Sequence, residues 1–161
     1  MSGWWGRVGS LALICAVLGA PGAVRAQHLL VPMDLAQTNH LRAYGLTFWV
    51  LERGEPAEWF LNYRGGAFLL PDQEPVRREA ALRGVRYEAV GGADVARIRA
   101  TVAEGNMEAV PLEKAPKIAV YTPPNSTPWD DAVTMALEYA EIPYEKIWDE
   151  EVASGGLSEY D

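Results

Sequence analysis

Two short stretches of this 161-residue chain hold side chains that could do chemistry together. Asp34, Asn39 and His40 follow the apolar run His28–Pro32, and Arg64-Gly65-Gly66 follows a second run, Trp59–Tyr63. In open α/β sheets ligands bind beyond the carboxyl ends of the strands. A carboxylate, an amide, an imidazole and a guanidinium followed by two glycines could there form one crevice for a small polar ligand. A plainer role is open for each. Asp34 can N-cap the helix that follows, Asn39 and His40 can sit on a solvated face, and Arg64-Gly65-Gly66 can be a hairpin turn. His40 has only His28 as a fellow imidazole, so neither a triad nor a metal site follows from it. No metal and no cofactor is expected.

Two further polar stretches read as structural. The loop Thr122–Pro128 precedes a helix and could hold an anion there. It lacks glycine, however, and Asp130 and Asp131 oppose negative charge, so capping is the expected role. Asp149-Glu150-Glu151 in the first turn of a short helix satisfies the macrodipole without any ion. Trp59, Phe60, Trp129 and Trp148 fall at strand or helix-face positions and are expected in the core.

The elements that must position these groups alternate between short apolar runs and helical patterns, as α/β proteins do. Strands are predicted at His28–Pro32, Trp59–Tyr63, Ala67–Leu70, Val85–Val90, Lys117–Tyr121 and Tyr144–Trp148. Helices are predicted over 34–53, 74–83 and 93–104, and again from Thr127 to Glu141. In the first helix Leu41, Tyr44, Gly45, Phe48 and Trp49 share one face, and Gly45 would let that helix approach the sheet. Gly105–Pro116 carries two prolines and no helical period, so it reads as a connector. Trp129, Ala132, Val133, Ala136, Leu137 and Ala140 should form the buried face of the last helix. Residues 117–148 then make a βαβ unit with parallel strands. Gly84–Val90 with Val95 is echoed by Ile142–Ile147 with Val152, either as tandem units or as one kind of helix-to-strand junction.

Residues 1–26 have the three parts of a cleavable signal peptide: Arg7, the apolar run Val8–Leu18, and Val24-Arg25-Ala26 at the cleavage position. That run is shorter than the roughly 20 residues a membrane span needs, so no span is expected after cleavage and Gln27 should begin the mature chain. Cleavage removes Cys15, the single cysteine, and with it any disulfide or thiolate chemistry. Residues 27–161 carry 12 basic and 22 acidic side chains, a balance that repels nucleic acid and anionic lipid. An exported, periplasmic or secreted protein follows.

KIAVYTPP, the stretch Tyr139-Ala-Glu-Ile-Pro-Tyr-Glu145, then Trp148-Asp-Glu-Glu-Val152 and Leu157-Ser-Glu-Tyr-Asp161 resemble the opening βαβ of class I glutamine amidotransferases. With VPMDLAQTNHLRAYGLTFWVLERG and Asn62-Tyr-Arg-Gly-Gly66, residues 28–161 resemble the N-terminal part of exported bacterial proteins of the asparagine synthetase B-like group. The resemblance implies a doubly wound, mostly parallel α/β sheet of flavodoxin-like type, with an N-terminal α/β unit over 27–110. Residues 117–161 would be an incomplete first βαβ, truncated as its third strand begins. The cysteine, histidine and acid that such amidotransferases use have no counterpart here, nor has a glycine-rich ATP loop. The expectation is an amidotransferase-like protein without catalytic residues. The alternative is a periplasmic small-ligand binding module using Asp34, Asn39, His40 and Arg64-Gly65-Gly66. A third is a structural partner in an envelope assembly.

Overall fold

A computed structural model describes Met1 and residues 27–161, so the expected leader lies outside the described residues apart from Met1. The first eight elements are β1 (His28–Val31), α1 (His40–Glu52), β2 (Ala57–Leu61), β3 (Ala67–Pro71), α2 (Glu74–Arg83), β4 (Glu88–Val90), α3 (Gly92–Glu104) and β5 (Glu108–Leu112). Their strands form one sheet in the order β4-β1-β3-β2-β5, and every pairing in it is antiparallel. The doubly wound, mostly parallel sheet expected from the sequence is therefore incorrect. The reason lies in loop length. Parallel neighbours need a crossover of a dozen or more residues, and only Asn62–Gly66 separates β2 from β3, which makes them a hairpin. β3 then fills the place between β1 and β2, and β1 the place between β3 and β4, the split βαβ arrangement.

The connector predicted at 105–116 is also corrected, because Glu108–Leu112 is strand β5. Pro111 stands opposite Glu58 in that pair, and β5 lies at the sheet edge, where a strand tolerates proline.

Side chains alternate across the sheet and fill two cores. Leu29, Val31, Phe68 and Leu70 pack under Leu46 and Val50 of α1 and Val76 and Ala80 of α2. On the opposite face Leu30, Phe60, Leu69 and Val90 meet Val95, Ile98 and Val102 of α3. Each such side chain, fully buried, contributes about 1.5–3 kcal/mol of transfer free energy. Both cores belong to residues before 117.

The remaining elements are β6 (Ala119–Tyr121), α4 (Ala132–Ala140), β7 (Glu145–Ile147) and α5 (Asp149–Ala153). β6 and β7 pair in parallel, with Val120 opposite Lys146, as the βαβ pattern predicts. They form a separate two-stranded sheet. The predicted buried face of α4 is only partly buried. Ala140 is enclosed, but Trp129 is 75% and Val133 55% exposed, since two strands cannot cover a whole helix face.

Gly45 does not serve an approach to the sheet. A Cβ there would overlap the carbonyl oxygen of Ala140, so the missing side chain lets α1 touch the C-terminus of α4. The sequence echo is likewise a helix exit. Gly84 and Glu141 both leave a helix in the left-handed region, at φ 66° and 58°. The next residues close matching bonds, Val85 N–H to Ala80 O and Ile142 N–H to Leu137 O, each 2.9 Å, as in a Schellman cap.

Candidate functional site

Beyond β1 the chain turns at Asp34, whose Oδ1 accepts the Ala36 N–H at 2.9 Å while its carbonyl accepts the Gln37 N–H at 3.0 Å. Asp34 therefore shapes a turn, and the N-cap of α1 is Asn39, whose Oδ1 accepts the Arg42 N–H at 3.2 Å. The hairpin loop between β2 and β3 lies against this turn. Asn62, Arg64, Gly65 and Gly66 have φ of 64°, 47°, 79° and 96°. A non-glycine residue in that region costs on the order of 1 kcal/mol or more, so the fold must hold the loop there. It does so through Met33 N–H to Arg64 O and Trp59 Nε1–H to Gly66 O, both 3.0 Å. Gly65 is required sterically as well, because a Cβ would strike the Met33 carbonyl.

The loop presents the Arg64 side chain to two carboxylates. Nε donates to Asp34 Oδ2 at 2.8 Å and Nη1 to Glu88 Oε1 at 2.6 Å. The Arg64 hydrogen bond, and after it the Ala36 N–H, hold the Asp34 carboxyl below its usual range. Asp34 and Glu88 in turn push Arg64 upward, more than partial burial pulls it down. The Arg64–Asp34 pair therefore stays charged across ordinary pH. His40 Nε2 lies 3.1 Å from the Met33 carbonyl, which accepts its proton. Asn39 faces elsewhere, donating through Nδ2 to Tyr139 Oη at 2.8 Å.

Five of the six expected residues, Asp34, His40, Arg64, Gly65 and Gly66, thus gather around the Met33–Asp34 turn. Asn39 belongs to the contact with α4. His28 starts β1, at the opposite end of the strand from this turn, so the two imidazoles serve no common centre.

A cleft of roughly 370 Å³ opens beside Arg64 on the α3 face. Its walls include Tyr63, Glu88, Asp94, Arg97 and Thr101, over a floor of Leu30, Val90 and Ile98. Asp94 accepts the Gly91 N–H at 3.1 Å and pairs with Arg97. Sequence reasoning missed these wall residues. Asp94, Arg97 and Thr101 recur at i, i+3 and i+7, so their common helix face was legible. Glu88 had no such signal, since only the register that sets it opposite Leu30 turns it to this side.

The other polar stretches serve as caps. Asp130 accepts the Thr127 N–H at 2.7 Å, and Asp131 Oδ1 accepts the Val133 and Thr134 N–H groups at 2.7 and 3.0 Å. Glu151 accepts the Trp148 N–H at 2.8 Å. The core expectation holds for Phe60, which is fully enclosed, and fails for Trp129. Trp59 is half-buried and stacks on Phe68 at 5.8 Å, and Trp148 stacks on Tyr121 at 4.6 Å.

No family model, curated protein or solved structure matches this chain. Among the described residues no group of three or more His, Cys, Asp or Glu side chains is placed to hold a metal ion. No described helix is long and apolar enough to cross a membrane.

Proposed function

We propose that this chain is an exported protein akin to the asparagine synthetase B-like group, working as a non-catalytic binding module for a small zwitterionic ligand beside Arg64. The kinship is supported by the KIAVY and IPYEKIW segments, which form a parallel βαβ unit. Binding over catalysis is supported by the engagement of the polar groups. His40 is taken by a backbone carbonyl, Asp34 by Arg64, and among the described residues no hydroxyl is hydrogen-bonded to an imidazole.

The observation that carries the ligand class is the cleft lining. Two guanidiniums, Arg64 and Arg97, and two carboxylates, Glu88 and Asp94, stand over an apolar floor. A simple anion there meets two carboxylates and a simple cation meets two guanidiniums. A molecule carrying both charges can exchange partners with each pair, and charge-assisted hydrogen bonds are the strong ones. The strained Arg64 backbone fits the same role, since strain of this kind gathers at ligand clamps.

Thermal unfolding with a panel of neutral α-amino acids, propionate and propylamine tests this. A bound zwitterion at a hundredfold over its Kd adds about 2.7 kcal/mol, a rise of roughly 5–11 °C, and Arg64→Ala abolishes the rise. Equal shifts from propionate alone, or no shift from any zwitterion, would defeat the proposal.

A further inference from the structure

We propose that Gln37 is the positioning residue of the Arg64 cleft: its buried carboxamide fixes where Asp34 and Glu88 stand, and so holds the Arg64 side chain ready for a ligand. The inference rests on the reading of that cleft as the ligand site. Gln37 lies outside the cleft lining and acts through the backbone it holds.

The sheet itself creates the need. β1 pairs with β4 through His28 opposite Val90, Leu29 opposite Ala89 and Leu30 opposite Glu88. The same register, carried two residues further, sets Pro32 opposite Arg86. In an antiparallel ladder successive residues bond to opposite neighbours. Met33 gives its N–H to the Arg64 carbonyl on the β3 side, so Pro32 faces Arg86. Proline has no N–H to donate, and the ladder cannot close there by backbone alone.

Gln37 closes it with a side chain. Nε2 donates to the Pro32 and Arg86 carbonyls, both at 3.2 Å, and Oε1 accepts the Arg86 N–H at 3.2 Å. The carboxamide thus offers Arg86 one donor and one acceptor, as a strand residue would. Gln37 is only 4% exposed, and its own N–H donates to the Asp34 carbonyl at 3.0 Å. One residue therefore ties the Asp34 turn to the strand that carries Glu88, two positions beyond Arg86. Asp34 and Glu88 are the two carboxylates that clasp Arg64. Their separation decides whether one guanidinium reaches both, so loss of the bracket must show in the Arg64 hydrogen bonds.

The test is NMR of the whole protein without ligand, followed by binding of the neutral α-amino acid panel. Gln37→Met keeps the length of the side chain and removes every hydrogen bond it makes. Its Arg64 Nε–H is expected to exchange about tenfold faster or more, and its Asp34 midpoint to rise toward the ordinary value. Affinity for the amino acids should fall by about fivefold or more, because the site is no longer preorganised. Gln37→Asn keeps a buried amide but is a methylene too short to span Pro32 and Arg86. It should move all three readings the same way, and it decides if Gln37→Met does not fold. Val76→Ala, a cavity in the core away from the turn, lowers the melting temperature and should move none of them. The proposal is overturned if the Gln37 variants leave the Asp34 midpoint and the Arg64 Nε–H as in the parent, or if Val76→Ala shifts them equally. Unchanged amino-acid affinity in variants whose Arg64 signals have moved would overturn it as well. A parent protein that binds no amino acid while the Gln37 variants still move the Arg64 signals defeats the ligand reading and upholds the positioning.

Discussion

Gly65 is where the loop and the end of β1 come closest, and no side chain fits between them. Its φ of 79° and the Met33 carbonyl facing its missing Cβ act together, so Gly65→Ala pays both a conformational and a steric cost. A loss of about 2–4 kcal/mol is expected, measured by denaturant unfolding; a variant within about 0.5 kcal/mol of the parent would show that the loop can relax. Arg64→Gly should be milder than Arg64→Ala by roughly 1 kcal/mol, because glycine accepts the left-handed backbone. The Asp34 carboxyl has its own pH dependence. Its pKa is depressed below the ordinary 3.8, first by the Arg64 hydrogen bond. The link to Arg64 is therefore complete above the unfolded value and lost only as pH falls through the lower folded one. NMR titration should place the Asp34 midpoint below the ordinary value and return it there in Arg64→Met. An unshifted midpoint in the parent protein would contradict the geometry.

At the scale of elements, α4 is held to the N-terminal unit by a small latch. Gly45 admits the Ala140 carbonyl, Arg83 donates to that carbonyl at 3.0 Å, and Arg83 and Arg42 share Glu141. The C-terminus of a helix favours cations, so Arg83, its side chain only 6% exposed, answers the dipole and the Glu141 carboxylate at once. Gly45→Ala inserts a methyl where backbone already lies, and overpacking of this kind costs about 1–3 kcal/mol. The expected result is faster proteolysis at residues 113–118 while the five-stranded sheet keeps its circular dichroism. Unchanged cleavage would mean that α4 is held elsewhere. Glu141 is also pulled below its usual range, chiefly by the Arg42 hydrogen bond and then by the charge of Arg83. The latch is thus fully formed at neutral pH and weakens only as acid titrates that carboxylate through its lowered value.

Across the whole molecule stability is uneven. The two cores occupy residues before 117, whereas the later segment encloses only Val120, Thr122, Thr134, Ala140 and Ile147. Regions with few buried contacts open first. Hydrogen exchange should release the β6 and β7 amides, such as Val120 and Ile147, well before those of Leu30 and Phe60. Exchange of all four with one common free energy would show a single cooperative unit.

Local pattern determined much of this protein. Short apolar runs located β1 and β3, the helical periods placed α2 at Glu74–Arg83 and α3 within a residue of Gly92–Glu104, and the crossover length made β6 and β7 parallel. The glycines after Arg64 marked a turn whose left-handed backbone only such residues accept readily. What tertiary structure alone decided was neighbourhood. A continuous apolar run marks a strand covered on both faces, here by α1 and α2 on one side and α3 on the other, and does not say that β3 would lie between β1 and β2. Residue types likewise left open whether Asp34 would cap a helix or meet Arg64, 30 positions away. Nor did they show that Glu88 would turn toward α3 or that Gly45 would face Ala140. Those contacts depend on strand register and helix packing, which are set by the summed burial of both cores and are encoded at no single position.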